Sequence, residues 1–119
     1  RLSSLAAPRS VPFREMYFLE HSRKVRAAVS MPLAFLGGVN SLASAERAMA
    51  EGFDCIVMAR PLIHDPALVN KLRSGELQRS GCTNCNRCVA YIYHPAGTWC
   101  VENPPNDPAL NRVRAAAAD

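Results

Sequence analysis

Two short apolar runs, each ending in a turn and joined by one amphipathic stretch, limit this chain more than any other feature of its sequence. The first, Pro32-Leu33-Ala34-Phe35-Leu36, has no polar alternation and ends in Gly37-Gly38. A run of that kind suits a parallel strand covered on both faces. Ser41 stands where a helix N-cap is wanted, and Leu42, Ala45, Ala48 and Met49 then recur at helical spacing. Ser44, Glu46, Arg47 and Glu51 fall on the opposite side, and Gly52 is a natural stop. The second run, Cys55-Ile56-Val57-Met58, leaves through Ala59-Arg60-Pro61. Residues 31–66 therefore predict a βαβ unit whose two turns share the carboxyl edge of adjacent parallel strands. Ligands of parallel α/β sheets and barrels collect at that edge. The amides of Gly37 and Gly38 and the Arg60 guanidinium form a candidate phosphate seat there, although a Gly-Gly pair also serves tight turns and a lone arginine also serves as a solvated charge.

The segments on either side are simpler. Pro8 and Pro12 punctuate residues 1–13 as a loop. From Arg14 to about Ser30 the pattern is helical, with Phe18, Val25, Ala28 and Val29 on one face and Glu20, Arg23, Lys24 and Arg26 in solvent. His21 lies in that helix, where a hydrogen-bonded or solvent-facing role is expected, and His64 at the edge of a short turn, where it is expected to bond solvent. Asp65-Pro66 reads as an N-cap with proline at the first helical position, opening a short helix with Leu68, Val69 and Leu72 as its stripe and Gly75 as its stop.

After Gly81 the composition changes to Cys82-Thr83-Asn84-Cys85-Asn86-Arg87-Cys88, and Cys100 follows after eleven intervening residues. Three closely spaced thiolates with a fourth brought back by a loop match ferredoxin-type ligation of an iron–sulfur cluster. Four-cysteine zinc is the alternative, although zinc sites more often pair two C-x2-C hooks. Disulfides rank third, because secretory features are not read in these residues and cytosolic thiols stay reduced. Pro95 and Gly97 help the return of Cys100. Cys55 is expected to pack in its strand as a small apolar side chain. Residues 102–119 read as irregular or loosely helical.

At 119 residues the chain holds one small domain, under half of the roughly 250 residues of a full (β/α)8 barrel. No apolar run approaches the roughly 20 residues of a membrane span, so no membrane is expected. The charge of +4 comes from scattered arginines, with aromatics at 7%, so nucleic acid is not expected either. The first residue is Arg1. That leads us to expect a segment or a processed product, and the reduced thiols expected above place it in the cytoplasm.

Tyr17-Phe18-Leu19-Glu20 before a basic helix, Met31-Pro32-Leu33 through Gly37-Gly38, Glu51-Gly52, Ala59-Arg60-Pro61-Leu62, Asp65-Pro66, and then Cys82 and Cys85-Asn86-Arg87-Cys88 form one ordered set. In it the chain resembles the carboxyl-terminal part of the NADH:flavin oxidoreductase, or old yellow enzyme, family over roughly residues 14–101. The resemblance implies an α/β fold, a partial (β/α)8 TIM barrel over residues 14–80, with a cysteine-rich metal-binding tail over residues 81–101. It implies FMN as cofactor, its phosphate held by Gly37, Gly38, Ala59 and Arg60, and NAD(P)H as reductant of a small electron-poor substrate. The tail resembles that of the iron–sulfur relatives of 2,4-dienoyl-CoA reductase, which implies a [4Fe–4S] cluster on Cys82, Cys85, Cys88 and Cys100. Those relatives place three residues between the second and third cysteines where this chain has two, and glycine is common where Ala59 stands. The substrate-activating side chains and proton donor of the family lie on earlier strands, so no residue here is nominated as catalytic. The remainder of the barrel, or a partner chain, is expected to complete the fold. The rival expectation is a non-enzymatic zinc-binding module with the βαβ unit as scaffold.

Overall fold

The computed structural model describes residues 12–95 and 97–104, with single positions 106, 108, 111, 112 and 115 beyond. The loop expected over residues 1–13 and the loose helix expected toward the carboxyl end lie mostly outside the described residues.

In chain order the elements are α1 (Leu19–Ala28), β1 (Ala34–Leu36), α2 (Leu42–Ala50), β2 (Cys55–Val57), α3 (Arg60–His64), α4 (Leu68–Ser74) and a 3-10 turn (Arg87–Tyr91). The strands pair in parallel, Ala34 with Cys55, Phe35 with Ile56 and Leu36 with Val57, and α2 is the crossover between them. Ser41 caps α2 as its position predicts. Its hydroxyl accepts the Ser44 N–H at 3.1 Å, and the Ser44 hydroxyl accepts the Ser41 N–H at 3.2 Å. Ser44 is therefore buried as half of a capping box, not solvent-facing as its place on the helical wheel implies. Replacing Ser41 by alanine orphans one of these donors and is expected to cost about 1 kcal/mol in a urea unfolding curve.

One face of the sheet carries the core. Phe35 is fully buried and meets Phe53 at 5.1 Å between ring centroids, and Met16, Leu19, Val39 and Ala48 close around them. The opposite face, made by Ala34, Leu36, Cys55 and Val57, is exposed. Cover on both faces, the expectation for such strands, is therefore met on one side only. Cys55 is correspondingly an exposed thiol and not a buried packing residue.

The α1 stripe is also bare, with Val25 at 52% and Val29 at 37% exposure. Arg26, expected in solvent, instead curls over the α1–β1 connection. It donates to the carbonyls of Val29 at 2.6 Å and Met31 at 2.9 Å and reaches Asp54 at 3.4 Å. Asp54 in turn accepts the Leu33 N–H at 2.8 Å, which fixes where both strands begin. α4 starts two residues later than the Asp65-Pro66 pair predicts. The Asp65 carbonyl accepts the Leu68 N–H at 3.1 Å and its carboxylate the Ala67 N–H at 3.0 Å, so an Asx-type turn precedes the helix. Gly75 ends α4 in the left-handed conformation at φ +79°.

Candidate functional site

The parallel register sets the turns after β1 and β2 side by side, and between them opens a cavity of about 150 Å³. Gly38, Asn40, Ala59, Arg60, Tyr17 and Asn84 are among its walls. Of the four residues assigned to a phosphate, Gly38, Ala59 and Arg60 thus share one wall set. Gly37 stands apart: it is buried, and a Cβ there would lie 2.8 Å from Phe18 Cβ, so this glycine makes room for an aromatic ring. Gly38 has φ +80°, and a Cβ on it would meet the Tyr17 ring at 2.7 Å. Its carbonyl accepts the Met16 N–H at 3.0 Å, which draws the segment before α1 over the glycine turn.

A second cavity of about 360 Å³ shares Tyr17, Arg60 and Asn84 with the first and adds Phe13, Arg14 and Asn86. It is faced by two aromatic rings in edge-to-face contact, 6.3 Å between centroids.

The cysteine tail is fastened to the turn after β1. Ser80 N–H donates to Asn40 O at 2.7 Å, Leu42 N–H to Gln78 O at 2.9 Å, and Ser41 and Arg79 form an antiparallel bridge. The Asn40 side chain, itself buried, donates to Cys82 O at 3.3 Å. Cys82, Cys85, Cys88 and Cys100 all line one small cavity together with Arg60, Asn84 and Asn86. Cys100 returns through an aromatic hook in which Trp99 stacks on Tyr91 at 4.0 Å and Gly97 N–H closes a turn on His94 O at 2.8 Å. Glu102 then ties the two ends, accepting from Thr83 at 2.8 Å and Arg87 at 2.6 Å.

All five cysteines are free. Among the described residues no group of three or more His, Cys, Asp or Glu side chains is arranged to hold a metal ion. The four cysteines share the walls of that one small cavity. Burial, reinforced by the neighbouring Cys100 thiol, pushes the Cys82 and Cys88 thiols above their ordinary values. Cys85 moves the other way, because Arg87 donates to its sulfur at 3.5 Å and favours the thiolate.

His64, read from sequence as solvent-bonded, is half-buried. Its Nδ1 lies 3.4 Å from Cys100 Sγ, and a Cβ on Gly81 would come within 2.7 Å of its Nε2. Sequence reasoning also missed Asn84 and Asn86. Both adopt left-handed backbone conformations, at φ +59° and +62°, which asparagine tolerates better than other side chains. Their alternation with the cysteines was the available signal. Asn86 Oδ1 accepts a hydrogen bond from Arg60 Nη1, joining the cysteine loop to the residue expected to face a phosphate.

No protein-family profile matches the chain, and no solved structure does. Among curated proteins, it is 44% identical over 90 residues to the 4,4'-dithiodibutanoate disulfide reductase of Rhodococcus erythropolis, covering 76% of this chain and 22% of that protein. It is 30% identical over 93 residues to the bilirubin reductase of Mediterraneibacter gnavus, covering 76% of this chain and 14% of the relative. It is also 34% identical over 82 residues to the metal reductase of Desulforamulus reducens, covering 66% and 12%. The chain thus matches reductases, and spans less than a quarter of the length of each of these three. Among the described residues no helix is long and apolar enough to cross a membrane.

Proposed function

We propose that the chain is the carboxyl-terminal βα segment of an FMN-dependent NAD(P)H reductase of the old yellow enzyme type, and that it supplies the flavin phosphate site and an iron–sulfur site. The observation that carries this is the position of Arg60. It stands at the carboxyl edge of two parallel strands, in the wall of a cavity shared with Gly38 and Ala59 and of the cavity lined by all four tail cysteines. A cationic fork beside a glycine turn suits a phosphate in charge and shape. FMN held there supplies hydride transfer from a nicotinamide to an electron-poor acceptor, and a [4Fe–4S] cluster on Cys82, Cys85, Cys88 and Cys100 supplies electrons one at a time. This chain's own work is positional. Gly38 and Ala59 wall the cavity beside Arg60, Arg60 neutralises the ligand's charge, and the aromatic hook brings Cys100 to the other thiols.

Three cysteines in one tight run, with a fourth returned by a loop, support a cluster over a single zinc ion, whose sites more often pair two C-x2-C hooks. Five free thiols suit a reducing compartment such as the cytoplasm. The remainder of a barrel would cover the exposed face of Leu36 and Val57 and supply the catalytic side chains.

The visible spectrum of the anaerobically purified protein tests the proposal. Flavin absorbance in the blue over a broad iron–sulfur shoulder is expected. A colourless protein carrying one zinc would replace the proposal with a structural metal module. The isolated 119-residue chain is expected not to turn over enones with NADH or NADPH and to self-associate through its bare sheet face. Turnover by a purified monomer would refute that expectation.

A further inference from the structure

Two asparagines stand between the glycine turn and the cysteines, and neither the phosphate role nor the metal role employs them. Asn84 is 5% exposed and lines all three cavities that Arg60 lines. Its Nδ2 donates to Cys82 O at 3.3 Å, a carbonyl that can only accept, so the amide oxygen is the end left over. That oxygen is buried without a hydrogen-bond partner among the described residues. A buried acceptor in this state carries a desolvation cost that a donor on a bound molecule would relieve. A phosphate oxygen cannot relieve it, because a phosphate presents acceptors; a hydroxyl can. Asn86 has the complementary task. Its Oδ1 takes one of the five donors of the Arg60 guanidinium, which fixes the plane of the fork and leaves the other N–H groups for an anion.

We propose that the loop over residues 82–88 is the specificity wall of the phosphate cavity. Asn86 positions Arg60 on the phosphate, and Asn84 accepts a hydrogen bond from a hydroxyl carried by the same ligand, so that the site selects a phosphate ester of a polyol over phosphate itself. The proposal rests on the flavin-phosphate function given above, which FMN satisfies through its ribityl chain.

Glycine substitutions isolate the side chains, because both positions already have the positive φ that glycine adopts without strain. FMN affinity of the flavin-stripped full-length protein that carries this segment would be read by fluorescence quenching, and inorganic phosphate affinity by competition. Asn86→Gly is expected to weaken both ligands about tenfold and to add nothing once Arg60 is changed to lysine. Asn84→Gly is expected to weaken FMN about fivefold while inorganic phosphate stays within about twofold. Ligand-free melting temperatures should hold in both variants. Equal losses for both ligands with Asn84→Gly, no loss with either variant, or an undiminished Asn86→Gly effect in the Arg60→Lys background would overturn the proposal. Failure of the parent protein to bind FMN would overturn the flavin assignment itself and this proposal with it, whereas a binding parent with unaffected variants defeats this proposal alone.

Discussion

In the full-length protein that carries this segment, changing Arg60 to alanine is expected to weaken FMN retention by roughly 2 kcal/mol or more, about thirtyfold in affinity. The magnitude follows from the kind of contact. A hydrogen bond to a charged partner contributes about 1.5–3 kcal/mol, and Arg60 has donors left after Asn86 has taken one. Arg60→Lys should recover only part of the loss, since an ammonium keeps the charge and loses both the planar fork and its geometry toward Asn86. Equilibrium dialysis of the flavin against each variant separates these cases. Unchanged FMN retention in Arg60→Ala would reduce the arginine to a strut between α3 and the cysteine loop.

Serine in place of Cys82, Cys85, Cys88 or Cys100 is expected to abolish a metal centre holding about four irons and four sulfides, while Cys55→Ser leaves it intact. The four line one cavity, two of them buried, and burial with the neighbouring Cys100 opposes ionisation of Cys82 and Cys88. Thiols so placed gain from a cation that accepts them as thiolates, because it offsets both the burial cost and their mutual repulsion. Cys55 belongs to the exposed face of β2 and is not among the walls of that cavity. Iron, acid-labile sulfide and zinc measured on anaerobically purified variants decide the matter. One zinc per chain would assign the tail a structural role, and no metal in the unmodified protein would defeat the prediction.

Much of the local fold was legible because it is written in short-range signals. Periodicity located β1, α2 and β2, Ser41 marked where α2 begins, and Gly75 marked where α4 ends. Legibility failed where a residue's role depends on a distant partner. Arg26 looks like any surface cation until the carbonyls of Val29 and Met31 and the Asp54 carboxylate are placed around it. His64 and Cys100 are 36 positions apart in the chain, and nothing in the local pattern of either announces their contact. Cys55 is illegible for the opposite reason: an apolar run implies cover on both faces, whereas cover depends on chain that does not lie in this run. At the candidate site the sequence does not show which residues share a wall. Gly37 serves the packing of Phe18, and the two asparagines, overlooked beside the cysteines, hold the positions that face the cavities.

The bridge between Ser41 and Arg79, with the bonds from Ser80 to Asn40 and from Asn40 to Cys82, has a consequence for anyone who would move the cysteine tail to another scaffold. The tail is not a cassette. Its first cysteine takes its position from the turn after β1, and that turn in turn is roofed by Tyr17. A graft that carries residues 78–102 alone would arrive without the surface that shapes it, so the smallest portable unit begins before α1 and must be exchanged as one piece.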